Sequence, residues 1–192
     1  ISLKGIKKYP DSNQLLVNLA VAYADNNQVD KAIETLKKAI KINPNDSSAY
    51  YNLGNYYFVR KKDLKNAEKN YQLAIEKKSL SHAPYLNLAS VYRDMGDHNK
   101  MFETMLTLIK AFPNSYEAYY NLADFYFSEG QKEVAITYFE KSFELMDKEI
   151  QQSKNDSYIL NKEKSKKSLL KAQAYQMLEL YDKAVPTFQT YL

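Results

Sequence analysis

SSAYYNLGNYYF, residues 47–58, places Tyr50, Leu53, Gly54 and Tyr57 at offsets of three, four and seven, which in a helix fall on one face. The same spacing returns along the chain. Leu16, Leu19, Ala20 and Tyr23 repeat it before this stretch, and Tyr85, Leu88, Ala89 and Tyr92, then Tyr119, Leu122, Ala123 and Tyr126, repeat it after. The last tyrosines of these sets, with Tyr175 further on, stand 34, 35, 34 and 49 residues apart, a period characteristic of stacked supersecondary units.

A second element follows each tyrosine. Ala32, Met101, Ala135 and Ala184 come nine residues later, and Ala67 ten later; four residues beyond each stands a bulky one, Leu36, Tyr71, Met105, Phe139 or Phe188. Each unit therefore reads as two amphipathic helices, the small residue letting the second approach the first. The extra residue of the second unit is expected in the turn over 61–65. Helices are expected over 13–26 and 29–42, 47–60 and 64–78, 82–95 and 98–111, and 116–129. Asn45, Asp46 and Ser47, and Asn114 with Ser115, supply N-caps; Gly96 and Gly130 fall where a first helix ends in a left-handed residue; Pro44 and Pro113 close units one and three.

Composition agrees. Four glycines and five prolines in 192 residues leave little punctuation for strands and hairpins, and no apolar run approaches the eighteen or so residues of a membrane span. Residues 1–11 lack the continuous apolar stretch of a signal peptide. The absence of cysteine rules out disulfides and thiolate metal sites; it fits a reducing cytoplasm or a protein indifferent to redox state, and the compartment stays open. The net charge of +4 comes almost wholly from lysine, with Arg60 and Arg93 the only arginines, which argues against nucleic acid as a partner.

The pattern resembles the tetratricopeptide repeat, whose signature is an aromatic, Leu-Gly and Tyr in the first helix, Ala and Phe in the second, and Pro at the end. Leu16, Tyr50, Tyr85 and Tyr119 stand where that family has tryptophan, and Met101 and Met105 make the third unit the most divergent. The resemblance implies an all-α, right-handed α-solenoid of antiparallel helix pairs, a single repeat domain over 1–192. Its parts are the end of a preceding repeat (1–12), repeats over 13–46, 47–81, 82–115 and 116–147, a helical insert (148–167) and a partial last repeat (168–192). Leu3, Ile6 and Pro10 match the close of a second helix, and the chain stops eight residues after Ala184, so it reads as a segment cut from a longer protein or one whose end a partner covers.

The insert accounts for the 49-residue interval. Phe143, Met146 and Ile150 continue the spacing of the fourth unit's second helix and Ile159 and Leu160 lead toward Leu169, Leu170 and Tyr175, with a turn expected at Asn155, Asp156 and Ser157, so two lengthened helices projecting beyond the solenoid fit it better than a loop. Seven lysines against three acidic residues over 148–171 make either a solvated face or a docking patch for an acidic partner or membrane surface.

In this family the first helices line a concave groove. Asn18, Asn52, Asn87 and Asn121 precede the repeated leucine and resemble the asparagine ladder of the superhelical repeat domain of O-linked N-acetylglucosamine transferases, which implies amides able to clasp a peptide backbone. Tyr51, Asn55, Phe58, Arg93, Tyr120, Asp124 and Phe127 are expected on the same surface. The four aromatics are either binding anchors or packing residues. Asn55 and Asn87 match the asparagines of the family's two-carboxylate clamp, but Tyr51, Glu117 and Asn121 stand where it needs bases, so a free acidic C-terminus is not the expected ligand.

No catalytic set is visible: His82 and His98 are sixteen apart with no second ligand at metal spacing, and the four glycines form no phosphate loop. No cofactor is expected. The sequence reads as a non-catalytic scaffold binding an extended peptide or partner helix, the alternatives being a spacer or self-association segment that stacks through its repeat ends, or the targeting region of a larger enzyme.

Overall fold

A computed structural model describes residues 12–152 and 157–179, with Lys183 and Thr187. The expectations for 1–11, for the turn at 155–156 and for Phe188 lie outside the described residues. The chain divides into two compact units, 1–104 and 105–192, and the division falls within one helix.

The first unit holds α1 (Asn13–Asp25), α2 (Val29–Ile42), α3 (Ser47–Asn55), α4 (Leu64–Glu76), α5 (Ala83–Met95) and the start of α6 (His98–Ala111). Short turns send each helix back along its predecessor, so α1 packs on α2, α3 on α4 and α4 on α5, while α2 also meets α3. The apolar stripe read from the sequence is what they bury: Leu16, Ala20, Ala32, Leu36 and Leu53 form one cluster, with Tyr23 and Tyr57 packed against it. Ala20 and Ala32 are wholly inaccessible, which lets the two backbones approach, and a fully buried Leu36 contributes roughly 1.5–3 kcal/mol. Asn13 Nδ2 donates to Ala39 O at 2.9 Å and pins the start of α1 to the end of α2.

Three first helices end alike. A left-handed residue stands four positions after the repeated tyrosine, Asn27, Gly96 or Gly130, and the next N–H donates to the tyrosine carbonyl: Gln28 to Tyr23, Asp97 to Tyr92, Gln131 to Tyr126. This is the Schellman closure. In the second repeat the left-handed residue, Lys62, comes five positions after Tyr57, and Asp63 N–H reaches Tyr57 O from one residue further. The extra residue expected in the 61–65 turn is instead taken up inside the helix, as a π-helical turn over Tyr56–Lys61. The turn itself is fixed: Asp63 accepts from Asn66 N–H at 3.1 Å and caps α4, so the helix body absorbs the insertion.

The second unit holds α7 (Tyr116–Ser128), α8 (Lys132–Gln152) and α9 (Ser157–Met177), with α8 packed on both others. At 21 residues each, α8 and α9 run roughly 30 Å. Tyr116, Ala123, Ala135, Phe139, Met146 and Ala174 belong to their shared core. Lysines of the insert region are tied into this unit. Lys167 is 2 % exposed, pairs with Glu149 at 3.0 Å and lies 4.9 Å from the centre of the Tyr116 ring; Lys171 pairs with Asp147 and Lys148 with Glu144. Lys167 thus departs from a solvated face: its stem packs while its ammonium is neutralised.

Candidate functional site

The predicted groove residues fall on first helices: Asn18 on α1; Tyr51, Asn52 and Asn55 on α3, with Phe58 in its π turn; Asn87 and Arg93 on α5; and Tyr120, Asn121, Asp124 and Phe127 on α7. Within the first unit three of them are drawn together around a residue of a second helix. Tyr71 of α4 donates its hydroxyl to Asn55 Oδ1 at 2.7 Å, Asn87 Nδ2 donates to the same oxygen at 2.8 Å, and Asn87 Nδ2 also stands 3.4 Å from Tyr71 Oη and 3.5 Å from Tyr51 Oη. The rings of Tyr51 and Tyr71 lie 6.1 Å apart.

This network exists because of Gly54. A Cβ there would stand 2.7 Å from two atoms of the Tyr71 ring, closer than packed carbons come, so the ring lies on bare backbone and its hydroxyl reaches α3's polar face. Tyr71 is fully buried, and burial pushes its phenol up, against the smaller downward effect of the Asn87 hydrogen bond. A parallel tie joins α4 to α5: Gln72 Nε2 donates to Tyr92 Oη at 2.8 Å, and burial raises that phenol to about 12.

The four ladder amides differ in what they have left to offer. Asn87 is engaged between repeats. Asn18 Oδ1 accepts from Gln14 at 3.3 Å, and Asn121 Nδ2 donates to Glu117 O at 2.8 Å, each within its own helix. Asn52 is half-buried, and among the described residues neither its donors nor its acceptor has a partner. Arg93 is exposed in the last turn of α5 and has no ion pair among the described residues. Phe58 is half-buried, and Val59 beside it is 55 % exposed.

On α7, considered by itself, Tyr120 sets its edge against Phe139 at 5.1 Å and Phe127 packs on the unit's core, so both contribute to packing. Burial raises the Tyr120 phenol, and the Asp124 carboxylate adds to the rise. Tyr71 was absent from the sequence-predicted surface although a signal for it existed: it is the one tyrosine among the bulky second-helix residues, opposite the one glycine among the small first-helix residues.

Among the described residues no group of three or more His, Asp or Glu is placed to hold a metal ion, and no helix is long and apolar enough to cross a membrane.

Paired helices with this cap, core and period define a helical repeat protein, and comparison with known proteins makes the class specific. Tetratricopeptide repeat models match residues 20–59, 47–76, 85–115 and 116–146. The chain belongs to the tetratricopeptide repeat family, and its fold is the all-α solenoid of antiparallel helix pairs that resemblance implied. It is similar to the crystal structure of MamA, with 30% identity, a TM-score of 0.67, and coverage of 77% of this chain and 86% of that one. PilW, described as a widely conserved type IV pilus biogenesis factor, shares the fold at 18% identity, with a TM-score of 0.69 over 96% of this chain and 78% of that one. A curated relative, the photosystem I assembly protein Ycf3 of Synechococcus sp. (strain CC9605), is 38% identical over 56 residues, 29% of this chain. The match covers about a third of that relative's length (32%).

Proposed function

We propose that this chain is a non-catalytic protein-interaction scaffold that takes an extended peptide or a partner helix across the first-helix face of its repeats. The units of that scaffold are the repeats over 13–46, 47–81, 82–115 and 116–147. The observation that carries the reading is Asn52. Among the described residues its carboxamide keeps two donors and an acceptor free beside Tyr51, and a peptide bond needs that combination from a receptor that does not read side chains. Asn55 and Asn87, held by each other and by Tyr71, keep the neighbouring surface in one arrangement, so a ligand meets a preordered site and less of its binding energy goes into ordering the receptor. Tyr51, Phe58 and Arg93 supply aromatic and cationic groups around it, and Asn18 extends the row on α1. On α7 the same role falls to Tyr120, Asn121, Asp124 and Phe127. Similarity to a photosystem assembly protein over part of the chain favours partners that are themselves subunits being brought together.

The test is selection of a random-peptide phage library on the folded chain, followed by calorimetry of the enriched peptides. Asn52→Ala is expected to weaken binding about tenfold, about 1.4 kcal/mol, with an unchanged or slightly raised melting temperature. A pure spacer enriches no peptide, and a self-association segment reveals itself by light scattering that rises with concentration.

A further inference from the structure

Away from the proposed peptide face, the second helices α2 and α4 border a cleft floored by α3. α2 and α4 both pack on α3, and the space left between them is an open cleft of ≈ 450 Å³. Tyr50 and Leu53 of α3 and Tyr57 of its π turn form the floor at offsets of three and seven, and Ile40 of α2 and Leu73 of α4 extend the apolar lining up the walls. Three lysines stand around it, Lys37 and Lys41 one turn apart on α2 and Lys69 on α4.

Among the described residues none of these lysines has an ion-pair partner, and no acidic side chain lines the cleft. The carboxylates on the same two helices are engaged elsewhere: Asp30 with Lys61 at 2.6 Å, Glu34 with Lys38 at 2.9 Å, Glu68 with Lys100 at 3.8 Å, and Glu76 with Lys77 at 3.0 Å. The polar residues of the α4 wall are also turned inward on their own chain. Asn70 donates to Asn66 O at 2.7 Å, and Asn66 donates to Asp63. What the cleft offers a partner is therefore an apolar trough with uncompensated positive charge on both walls.

From this complementarity we infer that the α2–α4 cleft docks an amphipathic helix whose apolar ridge is flanked by glutamate or aspartate. The walls are themselves helix ridges, Lys37/Ile40/Lys41 and Asn66/Lys69/Asn70/Leu73, each spaced by three and four, and a ridge of the same spacing on a partner helix fits between them. Acidic residues one turn apart on that helix meet Lys37 and Lys41 as a pair. The tyrosines and leucine that define the repeat thus close the intramolecular core on one side and floor an intermolecular site on the other. This site uses none of the first-helix residues of the proposed peptide face.

The probe is a fluorescein-labelled synthetic helix carrying Leu at i, i+3, i+4 and i+7 with Glu on either side, its Glu→Lys counterpart serving as control. Fluorescence anisotropy and amide NMR shifts on the whole chain are the readouts. Saturable binding of the Glu peptide and not the Lys peptide is expected, with shifts centred on Ile40, Leu53 and Leu73. Lys37→Glu, Lys41→Glu and Lys69→Glu together should weaken it at least thirtyfold with unchanged circular dichroism, the three Lys→Arg changes should retain it, and Asn52→Ala should leave it unaltered. The inference is overturned if the Glu peptide does not bind or if the triple charge reversal leaves its affinity intact. It is equally overturned by shifts that map instead to Asn18, Asn52, Asn87 and Arg93 of the peptide face, by laurate filling the cleft while the peptide is ignored, or by light scattering showing a second copy that the triple variant releases.

Discussion

The helix pairs α3–α4 and α7–α8 carry the same repeat, yet they seat the bulky residue of the second helix in opposite ways. In α3–α4 that residue is Tyr71, it lies on Gly54, and its hydroxyl is consumed by Asn55. In α7–α8 it is Phe139, the small residue is Ala123, and the ring is met instead by the edge of Tyr120 at 5.1 Å and by Phe143 stacked at 6.0 Å. One pair removes a methyl and adds a hydrogen bond; the other keeps the methyl and packs aromatic on aromatic. Two cores of equal burial are reached, and in the first the buried hydroxyl is tied into a polar network on the first-helix face. The residues of the repeat thus constrain size and apolarity tightly and chemistry loosely.

The largest effect should come from exchanging the small residues. Gly54→Ala gains about 1 kcal/mol of helix propensity but forces a Cβ into the buried Tyr71 ring, an overpacking that costs typically 1–3 kcal/mol. A net loss is expected in urea unfolding followed by circular dichroism. The companion substitution Tyr71→Leu, which recreates the Ala20–Leu36 pairing of α1–α2, should recover most of the loss made by Gly54→Ala, so the double variant should be more stable than the two single losses predict. Strict additivity would show that the ring and the glycine are not coupled. Ala123→Gly should destabilise as well, by about 1 kcal/mol from the backbone and a further ~0.8 kcal/mol for the buried methyl.

The asparagines divide the same two regions. Asn87→Ala deletes the 2.8 Å bond to Asn55 and a link between consecutive repeats, a loss of about 1 kcal/mol. Asn121→Ala deletes only a bond to a carbonyl of its own helix and should shift stability by less than about 0.5 kcal/mol. Equal melting temperatures for the two variants would remove the distinction between an amide bonded between repeats and one bonded within its own helix. Affinity for a selected peptide should fall in both if the first-helix face is the binding face.

How much of this was legible follows from what the repeat encodes. Offsets of three, four and seven report which face a helix buries, so the pairing of α1 with α2 and of α3 with α4 could be read directly, as could the caps at Asp46, Gly96 and Gly130. The extra residue of the second unit was countable but not placeable. A turn and a π bulge both absorb one residue, and only the Asp63 cap with left-handed Lys62 decides for the helix body. That Asn55 and Asn87 sit on neighbouring first helices was legible too; which amides are already bonded was not, since the partner of both is Tyr71, sixteen residues from each and on another helix. The cleft floored by Tyr50 and Tyr57 escaped for a related reason. Those residues match a packing motif, and a motif records that a side chain is apolar without recording whether both its sides are covered.

Alkaline pH should separate the two pairs with the smallest effect, because it acts on hydroxyl groups that α7–α8 lacks at the bulky position. Burial raises the phenols of Tyr71 and Tyr92 in the folded chain, the latter to about 12, while an unfolded tyrosine ionises near pH 10. Below pH 10 both states keep the proton, and the contribution of these groups to stability is fully present. Above it the unfolded chain releases protons that the folded chain holds, so stability falls as pH rises through the 10–12 window. Tyr71→Phe removes one such group and should make the decline shallower, whereas Tyr120→Phe should change it less, since a smaller burial-driven rise in its phenol, aided by Asp124, leaves less to lose. Urea midpoints at pH 9, 10 and 11, with absorbance at 295 nm to count ionised phenols, give the comparison. A slope identical in Tyr71→Phe and the parent would mean that the hydroxyl bound to Asn55 is no more protected than one in water.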